Sequence, residues 1–264
     1  MKKNRVNPRQ VSARKKPTEI KPERIQKLLA QAGLGSRREI ERWIVDGSIS
    51  VNGATASLGD KITVREVVKL RGRIVKLADK LQRMDTKVLI YHKPAGEIVS
   101  RKDPEGRPTV FKKLPKLAAG RWVAVGRLDI NTQGLLMFTN DGDLANKLMH
   151  PSQQIDREYA VRVMGNITSE TAETLVNGVD LEDGRARFED VQEAGGEGVN
   201  RWFHVVVAEG RNRVVRRLWE SQNCKVSRLI RVRYGSVFLP PGLPTGRFEL
   251  LDKKGLEALN ALLS

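Results

Sequence analysis

From residue 87 to about residue 250, strand-like runs outnumber helical runs and do not alternate with them in a regular order. The strand-like runs are KVLIYHKP, RWVAVGRLD, GLLMFTND, REYAVRVMG and RWFHVVVAEG. The helical runs are DLANKLMH, ITSETAETLVNGV and RVVRRLWESQN. A doubly wound parallel sheet needs helices interleaved with its strands, so this order predicts an α+β domain on a mainly antiparallel β-sheet.

A different pattern precedes it. Apolar residues between 25 and 32 recur at helical spacing, and two glycines follow them. Residues 36–39, SRRE, have the pattern of a capping box at the start of a second helix, which we expect to end near residues 46–47. Short strand-like pieces come next, with Asn52-Gly53 as a tight turn. The order predicts a small unit of two helices and a small sheet.

Within this unit, the second helix begins with Arg37 and Arg38. The free backbone amides and the dipole of a helix N-terminus already favour phosphate, so both arginines are candidates for RNA contact. The alternative is that they are two solvated charges on a helix surface.

Composition and pattern together divide the chain into four parts. Residues 1–21 hold eight Lys or Arg, one Glu and two prolines, which predicts a disordered basic arm. The small unit spans 22–82, and a charged stretch, LRGRIVKLADKLQRMD, leads to a boundary at about 80–86. The larger domain spans 86–253, and residues 254–264 form a C-terminal helix or tail.

The 264 residues carry a net charge of +17, which favours a polyanionic partner such as nucleic acid. An anionic membrane surface is the competing partner, but the chain has no apolar run of about 18 residues and no apolar signal-peptide core. One cysteine and three scattered histidines offer no metal-ligand spacing. We therefore expect a cytoplasmic, metal-free protein, and a monomer because no apolar helix face is left over.

One loop in the larger domain, GRLDINTQG at residues 126–134, joins two expected strands at 122–125 and 135–138. Asp and Asn close turns through their own side chains, so Asp129 is explained in part as a turn residue. Arg127, two residues away, and the basic composition favour a second interpretation, a carboxylate held for chemistry. The acids at 140–143, by contrast, are explained as the cap of the following helix.

Two parts of the chain are similar to known families. The stretch from residue 23 to residue 62, with GLGSRRE and VNG, resembles the alpha-L RNA-binding motif. Several later motifs occur in the order found in the pseudouridine synthases that modify bacterial ribosomal RNA, and the chain resembles the branch with an N-terminal alpha-L domain from about residue 23 to about 250. The motifs are GRLDINTQGLLMFTNDGDLANKLMHP, REYAVRV, EGRNRVVRRLWE and VSRLIRVRYG. LEDG at 181–184, GGEG at 195–198 and the arginine-rich block favour the large-subunit subgroup over its small-subunit relative.

This resemblance implies residue roles. It makes Asp129 the essential catalytic carboxylate, Arg216 its partner across the cleft and Tyr159 the ring that stacks on the target base. Arg127 would occupy the space that a flipped uridine leaves. Pocket or RNA contacts are further implied for Leu229, Arg231, Arg211 and Arg213. Without the resemblance, core packing explains the tyrosine and the leucine, and a solvated basic helix face explains the last two arginines.

The expected activity is isomerisation of a uridine to pseudouridine in large-subunit (23S) ribosomal RNA, without a metal or organic cofactor. An ionised carboxylate can attack the sugar's anomeric carbon, attack the pyrimidine ring or remove a sugar proton, and the sequence leaves these three open. Two alternatives remain: a synthase for small-subunit ribosomal RNA or transfer RNA, and a non-catalytic ribosome-assembly factor. A paired-carboxylate glycosidase is disfavoured because the loop offers a single acid among arginines.

Overall fold

A computed structural model describes residues 21–82, 85–198 and 200–263 of the chain. The chain divides into two compact units, with the boundary after Gln82. All but the last residue of the predicted basic arm, residues 1–21, lies outside the described residues.

The first unit contains two helices and a small sheet, followed by a third helix. The third helix and a strand lie in the charged stretch before the boundary, which the sequence did not identify as regular structure. The elements are β1 Glu23–Arg24, α1 Ile25–Gln31, α2 Arg37–Val45, β2 Ile49–Val51, β3 Ala54–Thr55, β4 Lys61–Ile62, β5 Val68–Leu70, β6 Arg73–Val75 and α3 Leu77–Gln82. Antiparallel β3–β2–β5–β6 form the small sheet, and β1 pairs with β4.

Local sequence signals account for this unit well. The capping box at the start of α2 is formed, because the Glu39 amide donates to the Ser36 hydroxyl at 3.1 Å and the Ser36 amide donates to the Glu39 carboxylate at 3.3 Å. Asn52 and Gly53 have φ angles of 51° and 92°, as a tight hairpin turn requires. Leu77 of α3 is buried in the core of the unit, which explains why the charged stretch folds.

The second unit is built on one nine-stranded sheet with helices around it. Its elements are β7 Val88–Lys93, β8 Val123–Val125, β9 Gln133–Thr139, α4 Gly142–Met149, β10 Arg157–Met164, α5 Ser169–Asn177, β11 Val179–Leu181, β12 Gly184–Ala186, β13 Asp190–Glu197, β14 Asn200–Val207, α6 Val214–Glu220, β15 Lys225–Tyr234, β16 Val237–Phe238, β17 Phe248–Leu250 and α7 Lys253–Ala261. Short 3₁₀ turns occur at Val110–Lys113 and Pro151–Gln153.

Strand order in this sheet is β13–β14–β10–β15–β9–β7–β17, with β16 added to β15 and β8 added to β9. Among the described residues, β15 and β9 form its parallel pair, and the other neighbouring strands are antiparallel. The predicted α+β fold with a mainly antiparallel sheet is therefore confirmed. A separate two-stranded hairpin, β11–β12, lies between α5 and β13 in the chain.

Burial differs along the sheet. Strands β7 and β9 are buried on both faces, since their alternate residues enter two different apolar clusters. Strands β10 and β14 bury one face, with Val161 and Val205 in the cluster that also contains residues of α5 and α6. Ala160 and His204 on their opposite face are partly exposed. The cleft described next lies on the buried side of β10.

Candidate active site

The loop that carries Asp129 has seven residues, 126–132, because Gln133 and Gly134 already belong to β9. The Thr132 amide donates to the carbonyl oxygen of Asp129 at 3.0 Å and closes a turn. Gly134 has a φ of +100°, and a Cβ there would lie 2.7 Å from the amide nitrogen of Arg231 on β15. Glycine therefore permits the close approach of β9 to β15 that places the loop.

Lys93, the last residue of β7, holds this loop from inside the protein. Its side chain is fully buried, and its ammonium donates to backbone carbonyl oxygens of Pro94 at 3.0 Å, Asp129 at 3.1 Å, Ile130 at 3.4 Å and Thr132 at 2.9 Å. Three of the four acceptors belong to the loop. Sequence reasoning missed this residue, although a lysine ending an apolar strand just before a proline was the signal available.

Burial of the Lys93 ammonium near Asp129 disfavours its charged form. Burial lowers the pKa of Lys93 to about 8, while the negative charges of Glu97 and Asp129 oppose that decrease. Glu97 is itself buried, accepting a hydrogen bond from the Tyr91 hydroxyl at 2.6 Å and pairing with Lys113 at 2.6 Å. The loop is thus supported by a buried charged cluster rather than by apolar packing alone.

Asp129 lines a cleft of about 990 Å³. Seven arginines and three carboxylates are among its lining residues, so the cleft has a positive balance suited to a polyanion. Seven of the ten residues that the sequence placed in the site line this one cleft: Asp129, Tyr159, Arg127, Leu229, Arg231, Arg211 and Arg213.

Tyr159 on β10 presents its ring to the same cleft as Asp129. It is 9% exposed, and Arg231 on β15 is its cross-strand neighbour. Within the described residues, the Tyr159 hydroxyl has no hydrogen-bond partner, in contrast to Tyr234, whose hydroxyl donates to the Leu148 carbonyl at 2.8 Å. The ring is therefore packed on one side, with a polar end left for a ligand.

Arg216 does not form the expected ion pair with Asp129, because no nitrogen–oxygen distance between them falls within 4.0 Å. Its guanidinium instead donates to the carbonyl oxygens of Val226 at 2.9 Å and Asn131 at 3.3 Å, so it holds the loop from α6. Burial lowers the pKa of Arg216, the charge of Arg213 adds to this decrease, and the charge of Asp129 opposes it. The two groups interact electrostatically without direct contact.

Arg231 is 2% exposed and acts within the protein as well as at the cleft wall. Its Nε donates to the carbonyl oxygen of Leu135 at 2.7 Å, and its guanidinium lies 5.2 Å from the centre of the Tyr234 ring. These contacts hold β9 against β15.

Arg211 lines the cleft, and its guanidinium is bonded to other groups of the protein. Its guanidinium donates to Asp183 at 3.0 Å, to the carbonyl oxygens of Gly184 and Arg185, and to Glu209. Arg217 binds both oxygens of Asp183, at 2.8 and 2.9 Å. Arg211, just before α6, and Arg217, within α6, thus hold the tip of the β11–β12 hairpin, which forms part of the cleft wall.

The remaining candidates lie at accessible positions. Arg127 is exposed at the cleft, and Arg213 pairs there with Glu220 at 3.2 Å. Arg37 and Arg38 are exposed as the first two residues of α2 in the first unit. In the part of the chain that the structure describes, no three His, Cys, Asp or Glu residues are grouped to hold a metal ion, and no helix could cross a membrane.

This arrangement defines a basic cleft, with Asp129 on a loop whose backbone is held in place, on a domain with a mainly antiparallel sheet, preceded by a small unit with arginines at a helix N-terminus. Residues 87–228 match the family model described as RNA pseudouridylate synthase, and residues 23–68 match the S4 domain. The chain belongs to the RNA pseudouridylate synthase family.

Similar proteins agree with this assignment. A protein of Pseudomonas aeruginosa named ribosomal large subunit pseudouridine synthase B is 55% identical over 90% of this chain, which spans 62% of that protein's length. Proteins of the same name from Yersinia pestis and Vibrio cholerae are 54% and 55% identical over 91% of the chain, which covers 76% and 75% of them. The crystal structure of a pseudouridylate synthase shares the fold, with a TM-score of 0.62 and 22% identity over 89% of this chain and 99% of that one.

Proposed function

We propose that the protein converts a uridine of large-subunit ribosomal RNA to pseudouridine, with Asp129 as the essential carboxylate. The relatives named for this activity support the substrate class. The observation that carries the role of Asp129 is its position: its backbone is fixed by the buried ammonium of Lys93, and its side chain lines a cleft rich in arginine.

The reaction is an isomerisation and balances within the nucleotide. The bond between N1 and the anomeric carbon breaks, and a bond from C5 to that carbon forms. C5 loses a proton and N1 gains one, so neither an oxidant nor a co-substrate enters. Asp129 acts by attacking the anomeric carbon, attacking the ring or removing a sugar proton, and each route needs the ionised carboxylate.

The target base must leave its stack to reach Asp129, since the reacting atoms are inaccessible within it. Tyr159 lines the cleft beside Asp129 and would stack on the flipped base. Arg127, exposed at the same cleft, would fill the space that the base vacates. A uridine in a loop or bulge suits this cleft best, because unstacking costs least there.

The first unit would add sequence-tolerant contacts to the RNA backbone. Arg37 and Arg38 lie in the first turn of α2, where the helix dipole favours phosphate. Contacts of this kind fix position without reading sequence, and they predict binding that weakens steeply with salt. We further propose that the protein acts in the bacterial cytoplasm and as a monomer.

The decisive experiment incubates the protein with unmodified ribosomal RNA and maps pseudouridine at single-nucleotide resolution. Asp129→Asn should abolish product while the protein still folds and binds RNA. Asp180→Asn, which changes an exposed carboxylate on β11, serves as the matched control and should retain activity. If pseudouridine forms only in small-subunit RNA, the substrate is small-subunit and not large-subunit ribosomal RNA. No product from wild type, or equal product from Asp129→Asn, would refute the proposal.

A further inference from the structure

The half of the sheet formed by β13, β14, β10 and β15 is covered on one face. Val161 and Val163 of β10 enter the apolar core, whereas Arg162 between them faces the opposite side and is partly exposed. Trp202 on β14 alternates in the same way with buried Phe203. The strands that shape the catalytic cleft therefore carry a second surface on their other face.

Strand register brings an aromatic and two basic side chains into one row on this surface. Arg162 lies directly across from Trp202 on β14 and directly across from Arg228 on β15. Lys225 occupies the next position on the same side, across from Met164. We call Arg162, Trp202, Lys225 and Arg228 the open-face patch. None of its members lines the catalytic cleft.

The positive charge of this patch is unbalanced. Like charges directly across two antiparallel strands repel, with Cβ atoms about 5 Å apart, so the Arg162–Arg228 pair is unfavourable by itself. On the same face, Arg233 is neutralised, because it pairs with Glu158 at 2.8 Å. Among the described residues, no carboxylate lies within 4.0 Å of a charged nitrogen of Arg162, Lys225 or Arg228.

A β-bulge orients the central arginine. The register of β10 against β15 shifts after Arg162, which leaves Ser227 as the extra residue. The Ser227 hydroxyl accepts a hydrogen bond from Arg162 Nε at 2.9 Å and donates to the Arg162 carbonyl at 3.0 Å. The two terminal nitrogens of the guanidinium have no acceptor among the described residues. A guanidinium that is held through Nε, with both terminal nitrogens available, can donate two parallel hydrogen bonds to a phosphate.

We propose that the open-face patch binds a second segment of the substrate RNA, outside the loop that enters the catalytic cleft. Arg162, Arg228 and Lys225 would contact its phosphates, and a base would stack on Trp202. Aromatic rings on a basic sheet surface bind unpaired nucleotides in this way. The inference rests on the proposed function for the identity of the RNA, but not on Asp129 or the cleft.

The test measures equilibrium binding of two fragments of the same ribosomal RNA, a stem-loop around the mapped uridine and a longer fragment containing it. The variant Arg162→Gln/Arg228→Gln removes two charges from the patch. The matched control, Arg247→Gln/Lys254→Gln, removes two exposed charges elsewhere on the second unit. The patch variant should bind the longer fragment about tenfold more weakly than wild type.

Two further readouts accompany this loss. The slope of log affinity against log salt should fall in magnitude by about 1.4 for the patch variant, from about 0.7 for each phosphate contact on single-stranded RNA. Turnover on saturating stem-loop should stay at the wild-type value. RNA carrying photoreactive uridines should crosslink at Trp202 itself in wild type, which tests the surface without any substitution.

Failure of this inference differs from failure of the proposed function. If wild type forms pseudouridine but the patch variant and the control share one affinity and one salt slope, the open-face patch is not an RNA surface. Crosslinks confined to residues that line the cleft, with none at Trp202, would overturn it as well. If wild type forms no pseudouridine, so that no uridine is mapped, yet the patch variant alone loses affinity for intact large-subunit ribosomal RNA, the surface stands and the enzyme assignment falls.

Discussion

The ammonium of Lys93 donates to the backbone carbonyl oxygen of Asp129 at 3.1 Å, so the residue that ends β7 fixes the backbone from which the proposed catalytic carboxylate projects. The same ammonium contacts the Thr132 carbonyl at 2.9 Å, at the far end of the turn. One buried charge therefore spans the loop and adds a positive potential beside the carboxylate. Both effects are testable separately.

Lys93→Met should lower kcat by more than the loss of folded protein accounts for. The substitution keeps an unbranched apolar stem, one atom shorter than lysine, but removes every donor to the loop carbonyls, and unsatisfied buried acceptors cost about 1–3 kcal/mol. We expect the free energy of unfolding to fall by about that amount and kcat to fall at least tenfold because Asp129 is no longer held. Chemical denaturation and single-turnover kinetics below the melting temperature measure the two effects.

Lys113→Met is the matched control for this variant. Lys113 pairs with buried Glu97 at 2.6 Å but makes no hydrogen bond to the loop. The Lys113→Met variant should lose stability and keep the wild-type kcat. A wild-type kcat in Lys93→Met would show that the loop holds its shape without the ammonium.

The pH dependence of turnover should report the same lysine. Because burial lowers the pKa of Lys93 from 10.5 to about 8, its ammonium loses a proton, a donor and its charge as pH rises through about 8. Turnover should therefore decline as pH rises above about 8. Stability moves in the opposite direction, since between about pH 8 and pH 10.5 the unfolded chain binds more protons than the folded one, and the lysine's contribution to the free energy of unfolding increases.

Opposite trends in turnover and unfolding separate this titration from alkaline denaturation. Lys93→Arg stays protonated throughout and should show a lower activity without the decline near pH 8. Retention of the same decline in Lys93→Arg would assign it to the RNA or to another group.

Local patterns predicted those parts of the fold whose signals lie within a few residues. The capping box of Ser36 and Glu39 and the helices at 142–149 and 169–177 follow from spacing and cap chemistry. The ten-residue strand β15 does not follow from the apolar pattern, because its charged residues obscure the alternation. The three-residue hairpin strands β11 and β12 are too short to give a pattern.

The site was predictable in its residue types and not in its contacts. Asp129 and Tyr159 share a cleft as the motif order suggested. Arg216 binds carbonyl oxygens instead of the carboxylate, and a backbone acceptor leaves no trace in the residue type. Lys93 was missed for the same reason: its four partners are main-chain atoms brought together by the packing of β7 against the loop.

Gly134→Ala should unfold the protein more readily than an alanine at another glycine with a positive φ. At Gly134 the new Cβ would clash with the backbone of Arg231 on β15, and strand backbone cannot move aside as a flexible side chain can. We expect a loss of about 3 kcal/mol or more in the free energy of unfolding. Gly106→Ala, at φ +71° with no heavy atom within 4 Å of the new Cβ, should cost about 1 kcal/mol. Equal losses in denaturant titrations would show that β9 and β15 separate easily.

Arg211→Gln should lower stability and Arg127→Gln should weaken RNA binding, although both arginines line the cleft. Arg211 is bonded to Asp183 and Glu209, so its loss should lower the melting temperature and leave the salt slope of RNA binding nearly unchanged. Arg127 is exposed, so its loss should weaken RNA binding, reduce the magnitude of the slope by about 0.7 and preserve stability. If the contact with Asp183 is the cause, Asp183→Asn combined with Arg211→Gln should destabilise less than the two single losses summed. If the magnitude of the salt slope falls for Arg211→Gln instead, the contacts of Arg211 with Asp183 and Glu209 break on binding and this arginine contacts the RNA.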